Sequence, residues 1–147
     1  FAPQALVLFY GLAGPSVYSH GAPLMACSAE GTAALTGQLE RIVDLARAAG
    51  TTVFLVPPAN PPELPWLDAE SQAVGAECYR SVYEDVAVRS EGAARLLRLD
   101  QLVCPDPREC PGTVDGVELR YDGIHYSDAG ATYITPWILD RLLTPEF

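Results

Sequence analysis

The chain has 147 residues and a mass of 15.8 kDa, with 49% hydrophobic and 19% charged residues, which is the composition of one globular domain and excludes a disordered polypeptide. Its 9 basic and 19 acidic residues give a formal charge of −10, which disfavours nucleic acid and anionic membrane surfaces as partners. The longest apolar run, at residues 5–10, is far shorter than the roughly 20 residues that cross a bilayer, so we expect no membrane span.

Two apolar strands flank an amphipathic helix in the first third of the chain. The run at 5–10 is continuously apolar and β-prone, which predicts a strand buried on both faces of a parallel sheet. Residues 11–31 are rich in glycine, proline and serine, so we expect a long loop there. Apolar residues at steps of three and four predict a helix over 32–49, closed by Gly50, and a second buried strand at 51–56. This order indicates a β-α-β unit.

The middle of the chain continues the alternation of loops, helices and strands. Residues 57–65 contain five prolines, which predicts a stiff loop after the second strand. A helix is expected over 68–88 and a short strand at 95–99. Residues 117–120 are expected to form a small strand or hairpin arm. The loops that follow the carboxyl ends of parallel strands are where α/β proteins build their sites.

A final helix is predicted over 128–143, with Ser127 as its N-cap. Pro136 predicts a kink in this helix or a late start. Its apolar face is expected to carry Ile134, Ile138 and Leu142. The order of elements predicts one α/β domain over residues 1–147, built as a three-layer α/β/α sandwich with a mainly parallel sheet.

Four cysteines allow disulfides, a metal site or free thiols. Cys104 and Cys110 lie in a short polar loop with three prolines, where a disulfide would close a compact ring. A zinc site is the competing interpretation, but the CxxC spacing is absent and the two histidines are distant, so no metal site is expected. A disulfide indicates an oxidising, extracytoplasmic location. Cys27 and Cys78 could form a second bridge, although four cysteines allow three pairings.

The segment around Asp122 and His125 carries the most chemical information. The two residues are three apart, and Gly123 between them supplies the conformational freedom of a tight turn. Such a turn can direct the Asp122 carboxylate at the Nδ1 proton of His125, which leaves Nε2 as a general base. The alternatives are an ordinary turn aspartate and a surface histidine.

Three other polar or aromatic residues carry weaker signals. His20 has no carboxylate nearby in the sequence and is expected to have no special role. Asn60 lies among prolines, where an asparagine caps a turn more often than it stabilises an oxyanion. Trp66, at the end of a loop that faces the predicted site, is a packing residue or part of a substrate cleft.

Four segments together resemble the second half of an SGNH (GDSL-like) hydrolase domain. They are the strand ending in Tyr-Gly at 5–11, the stretch Ala-Gly-Thr-Thr-Val-Phe-Leu-Val-Pro-Pro at 49–58, the two-cysteine loop at 103–117, and Asp-Gly-Ile-His-Tyr-Ser-Asp-Ala-Gly at 122–130. The resemblance covers nearly the whole chain. It is to the type of SGNH domain that is fused to membrane acyltransferase-3 proteins, which modify bacterial surface glycans.

The resemblance implies a Ser-His-Asp triad in which Asp122 orients His125. It also implies a disulfide between Cys104 and Cys110. The nucleophilic serine of such domains lies in a Gly-Asp-Ser motif after the first strand, and this motif is absent from the 147 residues. Gly11 matches a position that lines the oxyanion hole, but Ala13 stands where the family has an asparagine.

The resemblance therefore implies an extracytoplasmic O-acyl esterase or acyltransferase domain that acts on acylated cell-surface carbohydrate and requires no cofactor. The serine is expected outside this chain, in an N-terminal segment or a second chain that also completes the sheet. A membrane acyltransferase domain is a further expected partner, and through it the protein would be tethered at the periplasmic or cell-surface side. The alternative is a noncatalytic glycan-binding or partner-docking module that keeps the sheet and the turn but lacks a nucleophile.

Overall fold

The structure is a computed structural model that describes residues 3–9, 16–58, 69–104 and 110–144. Within these residues the chain forms seven strands and four helices. In chain order they are β1 (Ala5–Phe9), β2 (Ser16–Ser19), β3 (Ala22–Met25), α1 (Ala29–Ala48), β4 (Thr52–Val56), α2 (Ala69–Arg89), β5 (Ala94–Leu96), α3 (Asp100–Val103), β6 (Thr113–Val114), β7 (Val117–Glu118) and α4 (Asp128–Leu143). None of the described helices is long and apolar enough to span a membrane.

A three-stranded parallel sheet lies at the centre of the fold, in the order β1-β4-β5. Ala5 of β1 lies opposite Thr52 of β4, and Val53 of β4 lies opposite Ala94 of β5. Both pairings are parallel, so the helices α1 and α2 serve as crossover connections. This confirms the predicted α/β class with a parallel sheet.

The central strand β4 supplies side chains to two separate apolar clusters, because successive residues of a strand point to opposite faces. Val53 and Leu55 belong to one cluster, together with buried residues of α1 and α2. Phe54 and Val56 belong to the other, which includes Ile134 of α4. The predicted apolar face of the last helix is confirmed, since Ile138 and Leu142 pack against this second cluster.

The prediction that the first strand is buried on both faces is wrong. Leu6 is 38% exposed and Phe9 is 51% exposed. The reason is its position, because β1 lies at the edge of the sheet and pairs only with β4 among the described strands. A continuous apolar run does not distinguish an edge strand from a central one. Tyr10, the last residue of the predicted strand, lies outside the described residues.

The loop expected over 11–31 contains a hairpin instead. Strands β2 and β3 pair antiparallel, and His20 and Gly21 form the two-residue turn with positive φ of 50° and 81°. Val17 of β2 is only 2% exposed and belongs to the cluster with α1. Packing against α1 stabilises these short strands, and the glycine and proline content of residues 11–31 hides them from pattern recognition.

The remaining boundaries shift by a few residues. α1 begins at Ala29 rather than at 32, because the Ser28 hydroxyl accepts a hydrogen bond from the Gly31 amide at 3.0 Å and caps the helix. The helix expected over 68–88 is α2, and the strand expected at 95–99 ends at Leu96. After β5 the chain forms the short helix α3, which was not predicted.

The last helix has the predicted bounds, and a late start is ruled out because α4 begins at Asp128 and runs through Pro136. The hairpin arm expected at 117–120 is shorter, since β7 covers only Val117–Glu118 and pairs with β6. The chain that follows β7 leads directly to the segment predicted to carry the chemistry.

Candidate active site

A closed loop between β7 and α4 holds the predicted dyad. Arg120 and Tyr126 form an isolated antiparallel bridge that closes its two ends. One residue further out, the Ser127 amide donates a hydrogen bond to the Leu119 carbonyl at 2.9 Å. Backbone contacts therefore join the two ends of the loop, and the five residues 121–125 form the turn between Arg120 and Tyr126.

The turn inside this loop is built around Asp122. Its Oδ1 atom accepts hydrogen bonds from the backbone amides of Ile124 at 2.9 Å and His125 at 2.7 Å, which is an Asx turn. Gly123 has a φ of 83°, a conformation that side chains rarely adopt, so the sequence needs glycine at this position. The local sequence thus aims the other carboxylate oxygen towards the His125 ring.

Asp122 and His125 are joined by a short hydrogen bond of 2.6 Å between Oδ2 and Nδ1. Because an ionised carboxylate only accepts, the Nδ1–H of His125 is the donor. The hydrogen bond from the His125 ring, followed by those from the two backbone amides, lowers the pKa of Asp122 from 3.8 to about 2. The carboxylate is therefore ionised across the physiological range.

The dyad faces solvent. The His125 side chain is 63% exposed and that of Asp122 is 37% exposed. With Nδ1 engaged by Asp122, Nε2 is the ring nitrogen that can accept a proton from another molecule. No serine within the described ranges hydrogen-bonds to His125, and Ser127 caps α4 by accepting from the Gly130 amide at 2.9 Å. The catalytic role of the dyad stays a prediction.

The start of α4 is packed against the dyad loop. The Ser127 hydroxyl donates to the Glu118 carbonyl at 2.5 Å, in addition to capping the helix. Gly130 lies so close to Leu119 that a Cβ atom there would overlap the Leu119 carbonyl and come within 2.9 Å of its Cα. The helix can approach this closely only because residue 130 has no side chain.

The structure contains two disulfides, Cys104–Cys110 and Cys27–Cys78. Cys104 and Cys110 are both 4% exposed and belong to the second apolar cluster. Two residues after Cys110, the Gly112 carbonyl accepts a hydrogen bond from the Leu119 amide at 2.7 Å. The shorter bridge therefore anchors the segment from which the dyad loop extends. Two disulfides indicate an oxidising environment.

Three predicted site residues, Gly11, Asn60 and Trp66, lie outside the described residues, as does Ala13. His20 lies in the β2–β3 turn. In the described part of the chain, no cluster of three or more histidine, cysteine or acidic residues is arranged to hold a metal ion.

Sequence reasoning missed three neighbours of the dyad. The Tyr121 ring stacks on the His125 ring with 6.2 Å between centroids and 21° between planes, and Tyr121 is 64% exposed. Arg120 and Tyr126 contact each other on the opposite, buried side of the loop. The sequence contained a signal for this arrangement, because Arg120 is followed by Tyr121 and His125 is followed by Tyr126. Residues that face each other across a bridge lie on the same side, which groups Arg120 with Tyr126 and leaves Tyr121 and His125 on the other side.

No protein-family model matches this chain, and no curated protein matches it either.

Proposed function

We propose that this chain supplies the histidine and aspartate of an SGNH-type serine esterase or acyltransferase. The single observation that carries the proposal is the 2.6 Å hydrogen bond from His125 Nδ1 to Asp122 in an exposed loop. That geometry fixes the tautomer, presents Nε2 to an incoming group and keeps a negative charge beside the imidazolium that forms during proton transfer.

The proposed reaction is acyl transfer on O-acylated cell-surface carbohydrate. A serine outside this chain attacks the ester carbonyl, and His125 Nε2 takes the serine proton. The sugar hydroxyl departs as His125 returns that proton, which leaves an acyl-serine. A water or a second sugar hydroxyl then gives its proton to His125 and attacks the acyl carbonyl. His125 returns that proton to the departing serine oxygen, which releases the acid or the new sugar ester and restores the serine hydroxyl. Asp122 stays ionised throughout. Gly11 is proposed to line the oxyanion hole.

The fold proposed for the complete enzyme is the three-layer α/β/α sandwich of this family. Two observations support it. Side chains of β4 enter two clusters, one with α1 and α2 and the other with α4. The edge of β1 that pairs with no other described strand, with Phe9 half exposed, is the proposed position of a strand from an N-terminal segment or a second chain that carries the serine. The disulfides support an extracytoplasmic location, in the periplasm or at the cell surface.

The test is turnover of a soluble ester, p-nitrophenyl acetate, by the assembly purified from its native source. We expect His125→Ala to reduce kcat by at least about 10³-fold, because removal of a triad member leaves only binding and oxyanion contributions. The matched control is His20→Asn, which alters the only other histidine and should leave turnover unchanged. Asparagine is chosen because it tolerates the positive φ of residue 20.

A fluorophosphonate probe separates this proposal from the alternative of a noncatalytic glycan-binding module. Such a probe labels only an activated serine. Labelling of a serine in the same assembly, lost in His125→Ala and kept in His20→Asn, supports the triad. If no serine is labelled, or if His125→Ala turns over at the wild-type rate, the proposal is wrong and the binding module is favoured.

A further inference from the structure

We propose that Arg120 and Tyr126 are positioning residues that hold Asp122 and His125 in hydrogen-bonding geometry. The proposal extends the proposed function, but it concerns the geometry of the loop and can be tested without an acyl substrate. Neither residue touches a reacting atom. Both act through the backbone that carries the dyad.

The first support is the contact between the two side chains. Arg120 Nη2 donates a hydrogen bond to the Tyr126 hydroxyl at 3.0 Å, and the guanidinium carbon lies 4.7 Å from the centre of the Tyr126 ring. The same two residues form the backbone bridge that closes the loop. The side-chain contact and the backbone bridge therefore join the same two residues, one before Asp122 and one after His125 in the chain.

The second support is the burial of the Arg120 charge, which does not stabilise the fold. Arg120 is only 8% exposed, and its Nη1 atom is buried without a hydrogen-bond partner in the described part of the chain. No salt bridge to Arg120 is present among the described residues either. A buried cation without a paired anion is destabilising compared with an apolar side chain of similar size. The residue is better explained by the geometry it imposes than by the stability it contributes.

The third support is the way this contact reaches the dyad. Tyr126 is adjacent to His125, whose amide donates to Asp122 Oδ1 at 2.7 Å while its ring donates to Oδ2 at 2.6 Å. Both hydrogen bonds require His125 to stay at a fixed distance from Asp122. With Arg120 and Tyr126 facing the core, the side chains of Tyr121 and His125 are left on the exposed side. Fixing the positions of Arg120 and Tyr126 therefore sets the direction in which the His125 side chain points.

The test uses three substitutions in the oxidised chain with both disulfides formed. Tyr126→Phe keeps the ring and removes only the hydroxyl that accepts from Arg120. Arg120→Met keeps most of the side-chain volume and removes the charge. The matched control is Tyr133→Phe, which removes a tyrosine hydroxyl of α4 that donates to Asp115 at 2.7 Å and makes no contact with Arg120.

The decisive readouts are the Asp122 pKa, from ¹³C NMR titration of the carboxyl, and the downfield proton resonance of His125 Nδ1–H. In Tyr126→Phe and Arg120→Met we expect the Asp122 pKa to rise from about 2 towards 3.8, and the Nδ1 proton to move upfield or broaden. Tyr133→Phe should change neither. A role limited to stability would lower the urea midpoint and leave both readouts unchanged.

In the complete assembly, the same two variants should lower kcat about 10- to 100-fold with little change in KM, which is the size of effect that loss of an orienting contact produces. If Arg120→Met does not fold, Tyr126→Phe alone decides the question. The proposal is overturned if the folded Tyr126→Phe chain has the same Asp122 pKa and the same Nδ1 resonance as the parent chain. An assembly without esterase activity whose NMR readouts still shift would refute the proposed function and support the positioning role.

Discussion

Replacement of Gly130 by alanine tests whether α4 is held against the dyad loop. A Cβ atom at residue 130 would overlap the Leu119 carbonyl oxygen and lie 2.9 Å from the Leu119 Cα. Both obstructing atoms belong to the backbone, which cannot rotate away as a side chain can. The variant must therefore either accept strain or move the start of α4 away from the loop.

The two responses have similar costs. Overpacking of a close contact costs about 1–3 kcal/mol. Moving the helix away weakens the hydrogen bonds from Ser127 to Leu119 and Glu118, which contribute about 0.5–1.5 kcal/mol each. Alanine regains about 1 kcal/mol of helix propensity over glycine. Because both obstructing atoms are backbone, the cost lies at the upper end of these ranges, about 2–3 kcal/mol. After the gain of about 1 kcal/mol from alanine, we expect Gly130→Ala to reduce the free energy of unfolding by about 1–2 kcal/mol, and Tm by about 2–8 °C.

The measurement is urea unfolding followed by circular dichroism under oxidising conditions. The control is Gly37→Ala in α1, where residue 37 is exposed and an added Cβ meets no atom within 4 Å. This variant should gain about 0.5–1 kcal/mol, so the same substitution in two helices should have opposite signs. If Gly130→Ala is as stable as the parent while Gly37→Ala shows its gain, α4 does not pack against Leu119 and the described geometry of the loop is wrong.

Two further predictions concern pH and the disulfides. The depressed pKa of Asp122 means that its hydrogen bonds stabilise the folded state fully above about pH 4, and that this contribution is lost as pH falls through about 2. Urea midpoints measured between pH 5 and pH 2 should therefore fall less steeply for Asp122→Asn than for the parent, and identical slopes would contradict this assignment. Serine substitution of both cysteines should cost about 4 kcal/mol for Cys27–Cys78, with a sequence separation of 51, and about 2 kcal/mol for Cys104–Cys110, with a separation of 6. Equal losses in denaturant titrations would exclude loop length as the cause.

Elements with a local cause were predictable. The last helix follows from Ser127, whose side chain caps it, and from apolar residues at helical spacing. The Asp122 turn follows from three local features, namely an aspartate that accepts from the amides two and three residues further along the chain, a glycine with positive φ, and a histidine three residues after the aspartate. Such interactions span four residues or fewer, so the sequence alone specifies them.

Elements with a distant cause were not predictable. The β2–β3 hairpin lies in a stretch whose composition predicts a loop. Its inward residue Val17 is buried by contact with α1. The exposure of Phe9 depends on which strand neighbours β1, and an apolar run carries no information about sheet order. The burial of Arg120 beneath the dyad loop likewise depends on the second core cluster, to which Tyr126 and α4 also contribute.

The sequence by itself determined the α/β alternation, the capped final helix and the local turn that joins Asp122 to His125, because hydrogen bonds and periodicity within a few residues decide them. Only the tertiary structure decided that β1 lies at the edge among the described strands, that Gly130 lets α4 contact Leu119, and that Arg120 and Tyr126 hold the two ends of the loop together on its buried side. The physical reason is that these contacts join residues whose proximity depends on how the helices pack on the sheet.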